Sequence, residues 1–139
     1  MKQKDNRKGF TLAELLIVVA IIAVLVTISV PIFNGQLKKA RLSVNMANAR
    51  AAYAAAVSSF YSDNCDTPQL YTYDIASGTA TRQNPFQDMG SEYWNEHFIY
   101  ESKFQDWTNT ELEYKIATSW QVIFYTDGKI NLRAIFEGE

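Results

Sequence analysis

The stretch that decides the fold reads Phe10-Thr11-Leu12-Ala13-Glu14-Leu15-Leu16-Ile17-Val18-Val19-Ala20-Ile21-Ile22-Ala23-Val24-Leu25-Val26-Thr27-Ile28-Ser29-Val30-Pro31-Ile32-Phe33, in which Glu14 is the sole ionisable side chain. Wound as a helix at about 1.5 Å per residue, this run is roughly 36 Å long, enough to cross a hydrocarbon layer of about 30 Å with some tilt. In front of it lie the polar residues 1–9, with Lys2, Lys4, Arg7 and Lys8; behind it come Lys38, Lys39 and Arg41. The basic flanks nearly balance. The α-amine and the usual dominance of the first segment favour an amino terminus inside.

Three ordinary accounts of such a segment fit poorly. A secretory signal ends at a small-residue cleavage site, whereas the chain past Val26 reads Thr-Ile-Ser-Val-Pro-Ile-Phe. A lipoprotein needs a cysteine near the end of the apolar run, and Cys65 lies far beyond it. A plain anchor leaves Glu14 unexplained, since an acidic side chain costs about 2.5 to 3.5 kcal/mol at the centre of a span and less near its end. Two readings of Glu14 stay open on the residues alone: an interfacial carboxylate reaching water, or a carboxylate awaiting a positive partner.

The segment Lys8-Gly9-Phe10-Thr11-Leu12-Ala13-Glu14-Leu15-Leu16 resembles the class III signal of type IV prepilins and of the pseudopilins of type II secretion and competence systems. The resemblance implies cleavage between Gly9 and Phe10, N-methylation of Phe10, and pairing of Glu14 with the amino terminus of a neighbouring subunit. A new amine and a carboxylate are each costly in an apolar setting and tolerable together. Because Phe10 and Glu14 are four residues apart, the carboxylate can also reach its own amine, so the intermolecular choice comes from the family. Pro31 matches the family's proline near the end of the apolar run, which implies a bend or a locally unwound stretch. Its ring removes one helical hydrogen bond and crowds the carbonyl of Thr27. Many major pilins carry glycine where this chain has Ala23, a better helix former by about 0.8 to 1 kcal/mol. The close resemblance covers the first quarter of the chain.

With 139 residues and 47% hydrophobic content, one small globular unit is expected beside the apolar run. Loss of residues 1–9 removes four basic side chains and Asp5, leaving nine basic against 14 acidic, a formal charge of -5. An acidic chain is a poor nonspecific binder of nucleic acid. The predicted division is a leader over 1–9, a membrane or filament-core helix over 10–33, and a head over 34–139. Within the head, helix is predicted to about residue 63, with a packing stripe of Leu37, Ala40, Val44, Ala47, Ala51, Ala54 and Ser58 recurring at three- and four-residue steps. Tyr53, Phe60 and Tyr61 are expected to fill the wider gaps beside it.

Turn-forming residues from Asn64 to Pro68 end the helix, and residues 64–112 read as an irregular connection, with a short strand about Tyr71-Thr72-Tyr73 and a helical turn over Glu92 to His97. Strands are expected over residues 113–118, 120–125 and 130–136. A two-residue Asp127-Gly128 turn would split the apolar sets between faces. A three-residue loop, Thr126-Asp127-Gly128, instead pairs Phe124 with Ile130, Val122 with Leu132 and Trp120 with Ala134, with Gly128 in the left-handed position. The fold class is α+β: a long amino-terminal helix packed on a small carboxyl-terminal antiparallel sheet, which is also the pilin plan.

No catalytic, cofactor or metal site is expected. His97 is the single histidine and Cys65 the single cysteine, so an intrachain disulfide and a cysteine-only metal site are excluded. Asp88, Glu92 and Glu96 fall at helical spacing, but like charges on one face read as a solvated surface. Some pseudopilins bind calcium in a carboxyl-terminal loop, where this chain offers Asp127 alone. The resemblance therefore implies a nonenzymatic filament subunit, first in the cell membrane and then in a surface filament. Its implied partners are other pilin-like subunits, a prepilin peptidase/N-methyltransferase, a membrane assembly platform and membrane lipid, with nucleic acid only through a competence role. The rival from another class is a membrane-anchored extracytoplasmic binding module that never polymerises.

Overall fold

The computed structural model describes residues 9–64, 69–83, 100–101, 111–125 and 128–138. The elements in chain order are helix α1 (Leu12–Ser62), strands β1 (Gln69–Asp74), β2 (Thr79–Arg82) and β3 (Tyr100–Glu101), a 3-10 turn (Glu111–Glu113), β4 (Ser119–Phe124) and β5 (Ile130–Ile135). This is an α+β arrangement in two compact units, one ending at Leu37 and one beginning at Lys38.

In the first unit, α1 runs unbroken through Pro31. Its apolar side chains find no cover among the described residues: Leu16, Ile21, Leu25 and Phe33 are all more than half exposed. Thr27 and Ser29 donate their hydroxyls to the carbonyls of Ala23 and Leu25, each at 2.7 Å. Both hydroxyls are thereby satisfied inside the helix, as a lipid or protein-core setting requires. This helix is long and apolar enough to cross a membrane.

The second unit is built around a sheet of order β2-β1-β4-β5-β3, antiparallel at every pairing. β4 is central, and its pairing aligns side chains in rows across the sheet. Tyr73, Trp120 and Ala134 form one row; Tyr71, Val122 and Leu132 form the next. These rows pack with Ala49, Ala52 and Ala56 of α1 into one core. Small side chains on the helix let the larger sheet side chains fill the space between the layers, where each close carbon contact adds about 0.1 to 0.2 kcal/mol. Phe60 stacks on Phe124 with ring centroids 4.5 Å apart, and Tyr71 meets Phe124 edge-on at 5.7 Å. Leu70, Ile123 and Tyr125 form a smaller buried cluster.

The β4–β5 pairing is the one that the three-residue loop predicts, with Phe124 opposite Ile130, Val122 opposite Leu132 and Trp120 opposite Ala134. Tyr125 N–H donates to the Lys129 carbonyl at 3.0 Å, and Gly128 takes φ 80°. No heavy atom lies within 4 Å of a Cβ built at Gly128, so backbone conformation alone demands glycine there. Gly128→Val should lower the urea midpoint of the sheet by the equivalent of about 1 to 2 kcal/mol, as read by circular dichroism of the full chain in detergent.

Several local expectations are corrected. The helix buries Asn45, Ala49, Ala52 and Ala56, whereas Ala40, Val44, Ala47, Ala51, Ala54 and Ser58 of the predicted stripe are exposed and Leu37 is half-buried. The packing face is nearly opposite the predicted one. Alanines occur on both sides of the helix, and the buried side is the one that carries Asn45 and its hydrogen bonds. Tyr53 and Phe60 pack against the core, but Tyr61 is 75% exposed.

The region 64–112 is not wholly irregular: the strand about Tyr71–Tyr73 is present and longer, and it forms a hairpin with β2. Its turn is held by the Asp74 carboxylate, which accepts from Ser77 N–H at 3.0 Å and Ala76 N–H at 3.3 Å. The Ser77 hydroxyl, then these amides, hold the Asp74 carboxyl below the usual carboxylate range. That contribution is complete above the ordinary aspartate pKa and is lost as pH falls through the lowered one. Residues 113–118 form no strand: a 3-10 turn closes at Glu113, and residues 115–117 are irregular. Asn64, at φ 48°, follows the end of α1, a left-handed position that asparagine tolerates. Cys65, Asp88, the turn over Glu92 to His97, and Asp127 lie outside the described residues.

Candidate assembly site at the amino terminus

Gly9 and Phe10 precede the helix in irregular, exposed backbone, with Phe10 92% exposed. Nothing lies within 4 Å of a Cβ built at Gly9, and its φ is not among the positive values. Packing among the described residues therefore gives no reason for glycine at this position.

Thr11 and Glu14 form a reciprocal pair at the start of α1. Thr11 N–H donates to Glu14 Oε2 at 2.8 Å, and Glu14 N–H donates to Thr11 Oγ1 at 3.2 Å. This is a capping box: Thr11 is the cap, Glu14 stands three residues in, and two backbone donors that lack helical partners are satisfied. The carboxylate also lies at the positive end of the helix dipole. Its Thr11-x-x-Glu14 signal is plain in the sequence, but Thr11 does not figure among the site residues inferred from it. The box occupies Oε2 and leaves Oε1 uninvolved in it, and no salt bridge reaches Glu14 among the described residues. Glu14 is thus both a helix cap and a negative charge on an exposed apolar helix.

A second site, also missed from sequence, fixes how the head sits on its own part of α1. Asn45 is fully buried. Its Nδ2 donates to the carbonyls of Leu112 at 2.9 Å and Lys115 at 2.8 Å, and its Oδ1 accepts from Ala117 N–H at 3.0 Å. Two carbonyls and one N–H determine which way the amide must face. Among the described residues, no three His, Cys, Asp or Glu side chains converge as metal ligands.

Comparison with known proteins locates the first of these sites within a recognised segment. The family described as "Prokaryotic N-terminal methylation motif" matches residues 4–30, so Gly9, Phe10, Thr11 and Glu14 all fall in a prepilin-type amino terminus. The chain is similar to "Fimbrial protein EcpC" of Eikenella corrodens, at 40% identity over 60 residues. That match covers 43% of this chain, which spans 39% of the relative's length. No solved structure matches. The motif marks the amino terminus as prepilin-type, and the relative that shares part of the chain is a fimbrial protein.

Proposed function

We propose that this protein is the subunit of a type IV pilus-like filament, held in the membrane by α1 until a prepilin peptidase cuts between Gly9 and Phe10 and methylates the Phe10 amine. The observation that carries the reading is the apolar half of α1, which falls largely within the methylation motif and is left exposed among the described residues. Lipid covers those side chains before assembly, and the same helices of other subunits cover them afterwards. Glu14 Oε1 takes the Phe10 ammonium of a neighbouring subunit while Oε2 remains on Thr11. Pro31 is the point where the helix bends or unwinds on assembly, because no hydrogen bond from residue 31 reaches the Thr27 carbonyl.

A fimbrial relative favours a surface pilus over a secretion or competence pseudopilus. The glycine at position 9 answers to the peptidase, since no contact among the described residues requires it. Co-expression of the full chain with a prepilin peptidase and assembly platform should yield sheared surface filaments containing it, visible by electron microscopy. Gly9→Val should cut the processed form at least tenfold and abolish filaments while the chain still floats with membranes. Filaments built from the uncut variant would refute the scheme.

A further inference from the structure

Near the end of its apolar run, α1 holds two residues that weaken a helix, four positions apart. Pro31 has no N–H for the carbonyl of Thr27. Gly35 is helical although no heavy atom among the described residues lies within 4 Å of a Cβ built there, and its φ is not among the positive values. Neither a close contact nor a backbone angle therefore calls for glycine, and alanine would favour the helix about fivefold. In an α-helix the N–H of residue 35 bonds the carbonyl of residue 31, so the two weak positions begin and end a single turn. Residues 31–36 are all exposed among the described residues, which leaves helical bonding rather than tertiary packing to hold that turn.

Which side of Pro31 yields depends on what can take up the freed backbone groups. Before the proline, residues 15–30 carry no charged side chain, Ala23 favours helix, and the hydroxyls of Thr27 and Ser29 are bonded to carbonyls one turn back. Backbone N–H and C=O groups opened there would face hydrocarbon, which has no hydrogen bonds to offer. After the proline, the apolar run ends at Phe33, and Asn34, Gly35 and Gln36 follow. Water can reach the backbone at those positions, so hydration and the conformational freedom of glycine act on the same turn.

We propose that the turn from Pro31 to Gly35 is a hinge in α1, which opens on the carboxyl side of the proline while the apolar helix before it stays wound. In the structure the hinge is closed. Opening lets the helix axis change direction as the subunit passes from lipid to filament. The proposal rests on the filament reading above and extends the unwinding at Pro31 to the turn that Gly35 completes.

The test uses the full chain with Cys65→Ser in phosphatidylcholine vesicles, carrying pairs of spin labels whose distance distributions are read by double electron–electron resonance. One pair, Val26→Cys with Ala40→Cys, brackets the turn, and the other, Ile17→Cys with Val30→Cys, lies wholly before Pro31; all four positions are exposed. A wound helix sets the first pair about 21 Å apart and the second about 20 Å. The first pair should show a displaced distance beside the helical one, and the second the helical distance alone. Gly35→Ala should cut the displaced fraction about fivefold. Pro31→Ala should also reduce it, whereas Ala47→Gly, at an exposed position further along α1, should leave it unchanged. In cells, the Gly35→Ala chain should be processed normally and give severalfold fewer sheared filaments. A single helical distance for both pairs, or a displaced one for the pair before Pro31, overturns the hinge. A displaced fraction that Pro31→Ala removes and Gly35→Ala does not overturns the part assigned to Gly35 and leaves the Pro31 reading intact. Normal filament yield from Gly35→Ala overturns the hinge's role in assembly. Chains that do not float with the vesicles overturn the membrane reading and the hinge with it.

Discussion

Glu14→Gln should leave the subunit cleaved, methylated and inserted, yet cut the yield of sheared filaments at least tenfold. Glutamine can keep the capping box, since its amide oxygen accepts from Thr11 N–H as the carboxylate does. What it lacks is the charge. In an apolar filament core, the Phe10 ammonium would then be buried without its counter-ion, and breaking such a pair costs about 3 to 5 kcal/mol. Glu14→Ala removes both the charge and the hydrogen bond that Oε2 accepts from Thr11 N–H, which also loosens the start of the helix. The comparison separates the two roles: immunoblots of sheared filaments should fall for both variants, with alanine no better than glutamine. If glutamine restores wild-type yield, Glu14 acts as a cap and the pairing account fails.

Asn45→Ala should lower the stability of the head by about 3 kcal/mol. The substitution removes no large apolar contact. It strands the carbonyls of Leu112 and Lys115 and the N–H of Ala117, and each buried group left unsatisfied costs about 1 to 3 kcal/mol. Lys115 O is partly buried, so water can offset part of that loss. Asn45→Asp should be worse than alanine at neutral pH, because it sets a carboxylate against two carbonyls. Urea unfolding of the full chain in detergent, followed by near-ultraviolet circular dichroism, should rank wild type above alanine and alanine above aspartate. An alanine variant within about 0.5 kcal/mol of wild type would show that Asn45 is not what fixes the helix face.

The parts of this structure that were legible in the sequence are those governed by local rules. Alternation in β4 and β5, and glycine at the end of a three-residue loop, were enough to set their register, because a slip of one residue would turn Trp120, Val122 and Phe124 away from the core. The apolar run was legible for the same reason. The helix face was not. Alanine appears on both sides of α1, and an asparagine reads as a surface residue until the segment it binds is in place.

The misread strand at 113–118 has the same origin. Carbonyls at Leu112 and Lys115 and the amide of Ala117 bond to Asn45 across some 70 positions of sequence, not to a neighbouring strand. The β1–β2 hairpin escaped notice because β2, Thr79-Ala80-Thr81-Arg82, has no apolar alternation of its own. At the amino terminus Glu14 was legible as a charge out of place. Its hydrogen bonds to Thr11 add that the same carboxylate also starts the helix.

The central claim is that this chain is processed at one bond and then assembled through the helix that begins beside it. Mass spectrometry of the amino-terminal peptide, from the chain recovered in sheared surface filaments, tests this most directly. The account predicts a peptide beginning at N-methylated Phe10, with residues 1–9 absent. A chain that keeps Met1, or that stays wholly in the membrane fraction in cells bearing filaments, would contradict it.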